Sequence, residues 1–264
     1  ALAFQEALGL RGEIVSSERA RAVHAGVHED VPSWLWLPDE AQVDAQRLAV
    51  ALGDAVKGAG ARLLAGAEVV GVTSSSGRVR GVRLADGSRL SADRVVLAAG
   101  AWTAGIEGLP RELPVRPVRG QMLRLLPDPP PPWTLVADHA AHYLVPRVNG
   151  TVLVGSTMED VGFEAAVTEE GRDALVDAAT SLIPALEHAR IVESWAGLRP
   201  ISADRWPVLG PDPALEGLFW AAGHGRNGIL FAPLVGRSVV DLVLDGHSEV
   251  AWEPFAVTRF DPSA

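Results

Sequence analysis

The hydrophobic pattern changes period several times along the chain, and those changes outline its elements. Residues 1–9 read as the end of a helix closed by Gly9, and Ser16 or Ser17 is placed to cap a short helix. Trp34-Leu35-Trp36-Leu37-Pro38 is a compact apolar run that predicts a strand. Asp44 is placed to cap an amphipathic helix, Ala45 to Lys57, with Leu48, Leu52, Ala55 and Val56 on one face and Gly58 and Gly60 at its end. From Arg62 the period becomes that of strands. Ala67–Thr73, Arg78–Leu84 and Arg89–Ala98 predict a meander, the last strand running into the small-residue turn Ala98-Ala99-Gly100-Ala101.

Val115–Leu126 predicts a long strand, followed by the stiff loop Pro127-Asp128-Pro129-Pro130-Pro131-Pro132. His142–Arg147 and Thr151–Gly155 flank Val148-Asn149-Gly150, in which Asn-Gly is a hairpin signal. Thr168 caps a helix from Glu169 to Leu182 ended by Pro184, and Ile191–Arg199 predicts a strand followed by an irregular run, Pro200 to Pro213. Leu218–Ala222 predicts a buried strand and Ile229–Leu244 a helix with Pro233 in its first turn. Meander plus helices, then a broad sheet with one helix, then a return to strand and helix: the chain leaves one domain, builds another and comes back. The fold class is α+β with mixed sheets in two interleaved domains.

Composition narrows the function classes. The chain has 264 residues, 48% of them hydrophobic, enough for a sizeable core. A net charge of −10, with no concentration of Lys or Arg, disfavours nucleic acid and anionic membrane surfaces as partners. No apolar run is expected to reach transmembrane length, the N-terminus lacks a basic n-region, and a cytoplasmic protein is the default expectation. Cysteine is absent, which excludes disulfides, thiolate metal sites and a Cys nucleophile within this sequence.

Gly223-His224-Gly225-Arg226-Asn227-Gly228 fits G-x-G-x-x-G between a strand and a helix, with Asp245 near the distance of a ribose contact. A dinucleotide-binding unit also needs a second parallel strand after the helix. Only about twenty residues follow Leu244, with Pro254 and Pro262 among them and no buried strand evident. The loop is therefore not expected to open a βαβ unit. Seven scattered His give no metal-ligand spacing, and no G-x-S-x-G elbow is present. Four polar or soft residues in apolar contexts remain. Arg199 at a strand end is either an internal ion pair or a planar fork for a carboxylate. Tyr143 is either a buried Tyr with a satisfied hydroxyl or a ligand contact. Met158 is core or pocket lining, and Arg226 is a solvent-facing loop residue or a site residue.

Taken together, these stretches resemble the FAD-dependent amino-acid oxidases, and within them the glycine oxidases of thiamine biosynthesis. The resemblance rests on Gly223-His224-Gly225-Arg226-Asn227-Gly228-Ile229-Leu230-Phe231-Ala232-Pro233 and on further segments in the family's order. Those are Val43 to Leu48, Val95 to Trp102, Pro114 to Gln121, Tyr143 to Arg147, Val154 to Phe163 and Trp195 to Pro200. The resemblance implies FAD as cofactor, a small amino-acid substrate, and O2 as the final acceptor with release of peroxide. It implies that Arg199 and Tyr143 hold the substrate carboxylate and that Arg226 and Met158 match further active-site positions. Gly100, Trp102, Gly197, Gly223, Asn227, Gly228, Ile229 and Leu230 fall on the cofactor side, the last three opening a helix toward the flavin's pyrimidine edge. The domains implied are substrate-domain segment 1–43, FAD-domain segment 44–112, substrate domain 113–200 and FAD-domain strand and helix 201–264. Homo-oligomers are common among such enzymes.

Two departures from the family pattern stand out. Gly225 replaces an aromatic, which opens that part of the pocket and puts a strict preference for glycine in doubt. No pyrophosphate-binding βαβ unit is evident in residues 1–60, so the polypeptide as given is expected to bind FAD poorly while its parent is an oxidase. The competing readings are a D-amino-acid dehydrogenase with a non-oxygen acceptor and a cofactor-free, non-catalytic fragment.

Overall fold

The computed structural model describes residues 2–24, 26–128, 130, 134–140 and 142–261; the expected proline loop thus falls partly outside the described residues. In chain order the elements are α1 (Leu2–Ala7), β1 (Glu13–Ser16), α2 (Ser17–Val23), β2 (Ser33–Trp36), α3 (Ala45–Gly58), β3 (Val69–Ser75), β4 (Arg78–Leu84), β5 (Arg89–Ser91) and β6 (Val95–Leu97). They continue as β7 (Val115–Leu126), β8 (Val136–Ala137), β9 (Tyr143–Pro146), β10 (Val152–Gly155), α4 (Glu169–Leu182), β11 (Arg190–Ser202), β12 (Val208–Pro211), β13 (Leu218–Ala222) and α5 (Gly228–Leu244). The chain is α+β and divides into two compact units, each discontinuous in sequence.

The first unit comprises 1–44, 119–159 and 164–197. Its main sheet has the order β11-β7-β10-β9-β8, and β1 and β2 form a separate antiparallel pair. Register pairs Tyr143 with Gly155, and Gly155 with Met122. Thr168 accepts a hydrogen bond from the Gly171 amide and starts α4. The helix then buries Gly171, Leu175, Ala178, Ala179 and Leu182, one face of a 3.6-residue period. Leu175 and Leu182 join Leu123, Leu125, Val152 and Val154 from the sheet in this unit's core.

The second unit comprises 45–118, 160–163 and 198–264. The expected third meander strand is split. Arg89–Ser91 closes an antiparallel sheet β3-β4-β5, whereas Val95–Leu97 joins the sheet β12-β13-β6, where it runs parallel to β13. The irregular run expected from Pro200 to Pro213 is more ordered, because β11 extends to Ser202 and β12 pairs with β13. Asp212 organises this part. Its side chain is fully buried, and it accepts from Arg111 Nε (2.9 Å), Trp220 Nε1 (3.0 Å) and the Ala214 amide (2.8 Å). Arg111 also bridges to Asp261, tying the end of the chain to the sheet.

Two helices of this unit depart from expectation. α3 has no buried residue, and Leu52 and Val56 of its apolar face are exposed. α5 begins at Gly228 after a 3-10 turn, so Pro233 lies in its second turn, not its first, and the Ile229 carbonyl loses its usual amide donor. The segment Gly225–Leu244, 20 residues with mean hydropathy 1.5, is also long and apolar enough to cross a membrane, which the sequence reading had not expected. In this structure α5 packs on β12 and β13.

Candidate functional site

The parallel pair β6 and β13 fixes the geometry of the second unit's candidate site. Val95, Val96 and Leu97 register with Leu218, Phe219 and Trp220, so the two strands run in the same direction and deliver their following turns on one side. Clefts beyond the carboxyl ends of parallel strands are where α/β sheets bind ligands. After β6, Gly100 (φ 57°) opens a 3-10 turn, Gly100–Gly105, in which the Thr103 hydroxyl donates to the Gly100 carbonyl at 2.9 Å. After β13, Gly223 (φ 73°) and Gly225 (φ 56°) take left-handed conformations that other residues rarely adopt, and the chain then turns into α5.

These glycines are not equivalent. A Cβ at Gly223 would press on Ser202, Val208 and Val115, so its close neighbours are protein atoms. A Cβ at Gly100 would meet nothing within 4 Å, and the same holds at Gly197 at the end of the first unit's last segment. At Gly228 it would meet only His224 Cβ, at 3.6 Å.

Three features of this unit fit a flat, polar-edged group such as a flavin. Among the described residues no side-chain cap hydrogen bond closes the N-terminus of α5, which leaves the positive helix end and the amides of its first turn, including Gly228, Ile229 and Leu230, without that partner. His224, beside that turn, has Nε2 buried without a hydrogen-bond partner among the described residues, and burial lowers its pKa, favouring the neutral ring. A cleft of about 780 Å³ is lined by Val69, Val70, Ala99, Trp102, Ile106 and Phe163. Trp102 is 59% exposed, and its ring lies 6.0 Å from that of Phe163, giving the cleft an aromatic wall.

The remaining residues singled out from sequence are distributed as follows. Arg199 lies in β11, partly buried, and Arg226 and Asn227 are exposed in the 3-10 turn before α5; all three belong to the second unit. Tyr143 and Met158 belong to the first. The Tyr143 hydroxyl lies 3.3 Å from Met122 Sδ, and its ring crosses over Gly155, where a Cβ would come within 2.7 Å of the hydroxyl oxygen. Glycine at 155 is thus what lets the tyrosine lie against β10. Met158 is 58% exposed, and the residue after it is firmly held. Glu159 exchanges backbone hydrogen bonds with Arg119, at 2.8 and 3.0 Å. Its carboxylate accepts from Arg119 Nε (3.0 Å), Gln121 Nε2 (2.8 Å) and the Thr157 hydroxyl. Burial pushes this carboxyl up, but the hydrogen bonds from Thr157, Arg119 and Gln121 together hold it below the usual value. Arg119 itself is 4% exposed, with Glu164 as a second, more distant counter-charge at 3.7 Å.

His224, Phe163, Gly155 and the Arg119–Gln121–Glu159 cluster all lie in the segments that carry the family resemblance, but the sequence assigns none of them a role of its own. For His224 a further signal exists, a titratable residue between two glycines. Phe163 and Gly155 meet their partners only through contacts between residues distant in sequence.

Comparison with known proteins places the chain in a family. The family model described as FAD dependent oxidoreductase matches residues 1–242. The bifunctional protein ThiO/ThiG of Trichormus variabilis is 37% identical over 244 residues, covering 90% of this chain and 36% of its own length. The hydrogen cyanide synthase subunit HcnC of Pseudomonas aeruginosa is 36% identical over 84% of this chain and 53% of its own length. The crystal structure of glycine oxidase from Geobacillus kaustophilus superposes with a TM-score of 0.92 at 34% identity, covering 97% of this chain and 69% of that one. The chain thus spans about a third to a half of the length of the two relatives compared by sequence. With nearly its whole length matched, and its fold shared with a glycine oxidase, the chain belongs to the FAD dependent oxidoreductase family.

Proposed function

We propose that this chain is the substrate-binding and flavin-ring-binding part of an FAD-dependent amine oxidase of the glycine oxidase type. Its substrates are glycine, sarcosine or small D-amino acids, and the products are the imine, which hydrolyses to oxoacid and amine or ammonia, and H2O2 from O2. The observation that carries the reading is the site at the parallel strand ends: open space at Gly100, an uncapped α5, an unpartnered His224 Nε2 and an aromatic-walled cleft within one unit. In this reading segments 44–112 and 201–264 serve the cofactor, and 1–43 and 113–200 serve the substrate.

FAD, when bound, would supply a two-electron acceptor for the hydride leaving the substrate α-carbon and a route for both electrons to O2. The chain's own residues bind and orient. Arg199 provides a planar fork for the substrate carboxylate, and the Tyr143 hydroxyl provides one further donor to it. No side chain has to remove the α-proton, because it departs with its electron pair. The amine must be neutral for that step, and Arg226 disfavours a second positive charge nearby. Gly228, Ile229 and Leu230 would offer amide donors and the positive end of α5 to a flavin's carbonyl oxygens, and Trp102 and Gly197 would be further residues on the cofactor side. Met158 lines the substrate side, and Gly225 leaves room for amines larger than glycine.

The electron acceptor is decided by assay. Glycine-dependent peroxide formation by full-length protein supports the oxidase. Turnover only with a dye or quinone acceptor would instead establish the dehydrogenase reading. A cytoplasmic location and self-assembly into homo-oligomers belong to the same reading.

A further inference from the structure

In the first unit's main sheet β7, β10 and β9 are neighbours, and their registers set residues in rows across the three strands. Leu123, Val154 and Leu144 form one row, and all three are buried in the core shared with α4. The next row is Met122, Gly155 and Tyr143. Side chains alternate along a strand, so this row faces away from that core. Met122 and Tyr143 are both partly exposed there.

The two residues sit two strands apart, roughly 10 Å between backbones, and still meet. Gly155 between them has no side chain, and the flanking chains close over it. A Cβ at 155 would press on Met122 Sδ and come within 2.7 Å of the Tyr143 hydroxyl oxygen. Across this gap the hydroxyl donates to Met122 Sδ at 3.3 Å.

A phenol has one proton and donates it to one acceptor at a time. A thioether sulfur is a weak acceptor, whereas a hydrogen bond to a carboxylate is about twice as strong as one between neutral groups. We infer that Met122 is a positioning residue that sets substrate affinity: its thioether satisfies the Tyr143 hydroxyl in the empty site and yields the proton to the incoming carboxylate. The inference rests on the reading of Tyr143 as a donor to that carboxylate. An amide oxygen at this position would compete with the substrate for the proton, and a hydrocarbon would not compete at all. Met122 acts only through the hydroxyl, so its effect belongs to KM and not to the hydride step.

Two measurements test this. The chain has one tyrosine, so labelling it with ¹³C at Cζ gives a single resonance that reports on the hydroxyl's hydrogen bond. That resonance is expected to move in Met122→Leu while the far-UV circular dichroism is unchanged. An unmoved resonance would overturn the inference, because the sulfur would not be holding the proton.

The second measurement is steady-state turnover of glycine by full-length, FAD-loaded protein. Met122→Gln is expected to raise KM about fivefold, the weight of one ordinary neutral hydrogen bond, with kcat within about twofold of the parent. Met122→Leu, close in volume but without an acceptor, is expected to keep KM within about twofold of the parent. In a Tyr143→Phe background, Met122→Gln should no longer change KM. Equal rises in KM for the leucine and glutamine variants would make Met122 a packing residue and overturn the inference. So would a glutamine effect that persists without the Tyr143 hydroxyl, or one confined to kcat. Absence of any glycine turnover by the parent protein would instead remove the oxidase reading on which the inference rests, and the two failures are thereby told apart.

Discussion

Replacing Asp212 by alanine tests how the strand leading into the candidate cofactor loop is held. The carboxylate is fully buried and accepts from Arg111 Nε at 2.9 Å, Trp220 Nε1 at 3.0 Å and the Ala214 amide at 2.8 Å. Trp220 is itself wholly buried, so its indole N–H would be left unpaired at a cost of about 1–3 kcal/mol. Stranding one partner of a buried ion pair costs about 3–5 kcal/mol. That figure is reduced here, because Arg111 is 15% exposed and keeps Asp261 as counter-charge. A total near 3 kcal/mol follows, equivalent to a fall in Tm of about 6–12 °C for a chain of this size. Urea denaturation followed by far-UV circular dichroism measures the loss. Trp220→Phe, alone and combined with Asp212→Ala, completes a double-mutant cycle whose coupling energy should be about 1 kcal/mol or more. A loss below about 1 kcal/mol for Asp212→Ala, or strict additivity in the cycle, would refute the reasoning.

Three further outcomes follow from the first unit. Glu159 is held below its ordinary pKa, so the stability it contributes is present above the usual carboxylate range and is lost as pH falls through its lower, folded value. Urea midpoints measured from neutral pH into acid should fall less steeply in Glu159→Gln than in the unaltered protein, and parallel profiles would contradict this. Gly171→Ala should destabilise by about 2 kcal/mol, because the new Cβ comes within 2.5 Å of Gln121 Cδ, a side chain already fixed by Glu159 and Thr168. A denaturation midpoint unchanged from the parent would show that Gln121 yields freely. Gly155→Ala crowds the Tyr143 hydroxyl, so in full-length enzyme KM for glycine should rise about tenfold with a smaller change in kcat. A fall in kcat alone would place Tyr143 elsewhere in the reaction.

Sequence legibility followed the range of the interactions. α4 was readable to the residue, because its cap, its buried face and its terminator are all local. β13 was equally plain as an apolar run before a glycine turn. β6 was not: Val95–Leu97 reads as a continuation of Arg89–Ser91, and only parallel pairing with a strand near the far end of the chain separates them. The same pairing gives the Gly223–Gly228 loop its meaning. A G-x-G-x-x-G match in isolation suggests a phosphate cradle, whereas the structure sets it after a strand parallel to the one before the Gly100 turn, with His224 Nε2 and the start of α5 lacking side-chain partners among the described residues. The apolar faces of α3 and α5 mark a limit of pattern reading. A hydrophobic stripe announces a surface to be covered, but among the described residues Leu52, Val56, Ile229 and Leu230 remain exposed.

The central claim is that Arg199 holds an amino-acid carboxylate for oxidation by bound FAD. The most direct measurement is anaerobic addition of glycine to full-length, FAD-loaded protein, following the visible flavin absorbance in the unaltered enzyme and in Arg199→Leu. The account predicts bleaching in the unaltered protein and none in Arg199→Leu at the same glycine concentration, with the flavin still bound in both. Bleaching of Arg199→Leu at the rate of the unaltered protein, or no bleaching of the unaltered protein by glycine, sarcosine or small D-amino acids, would contradict it.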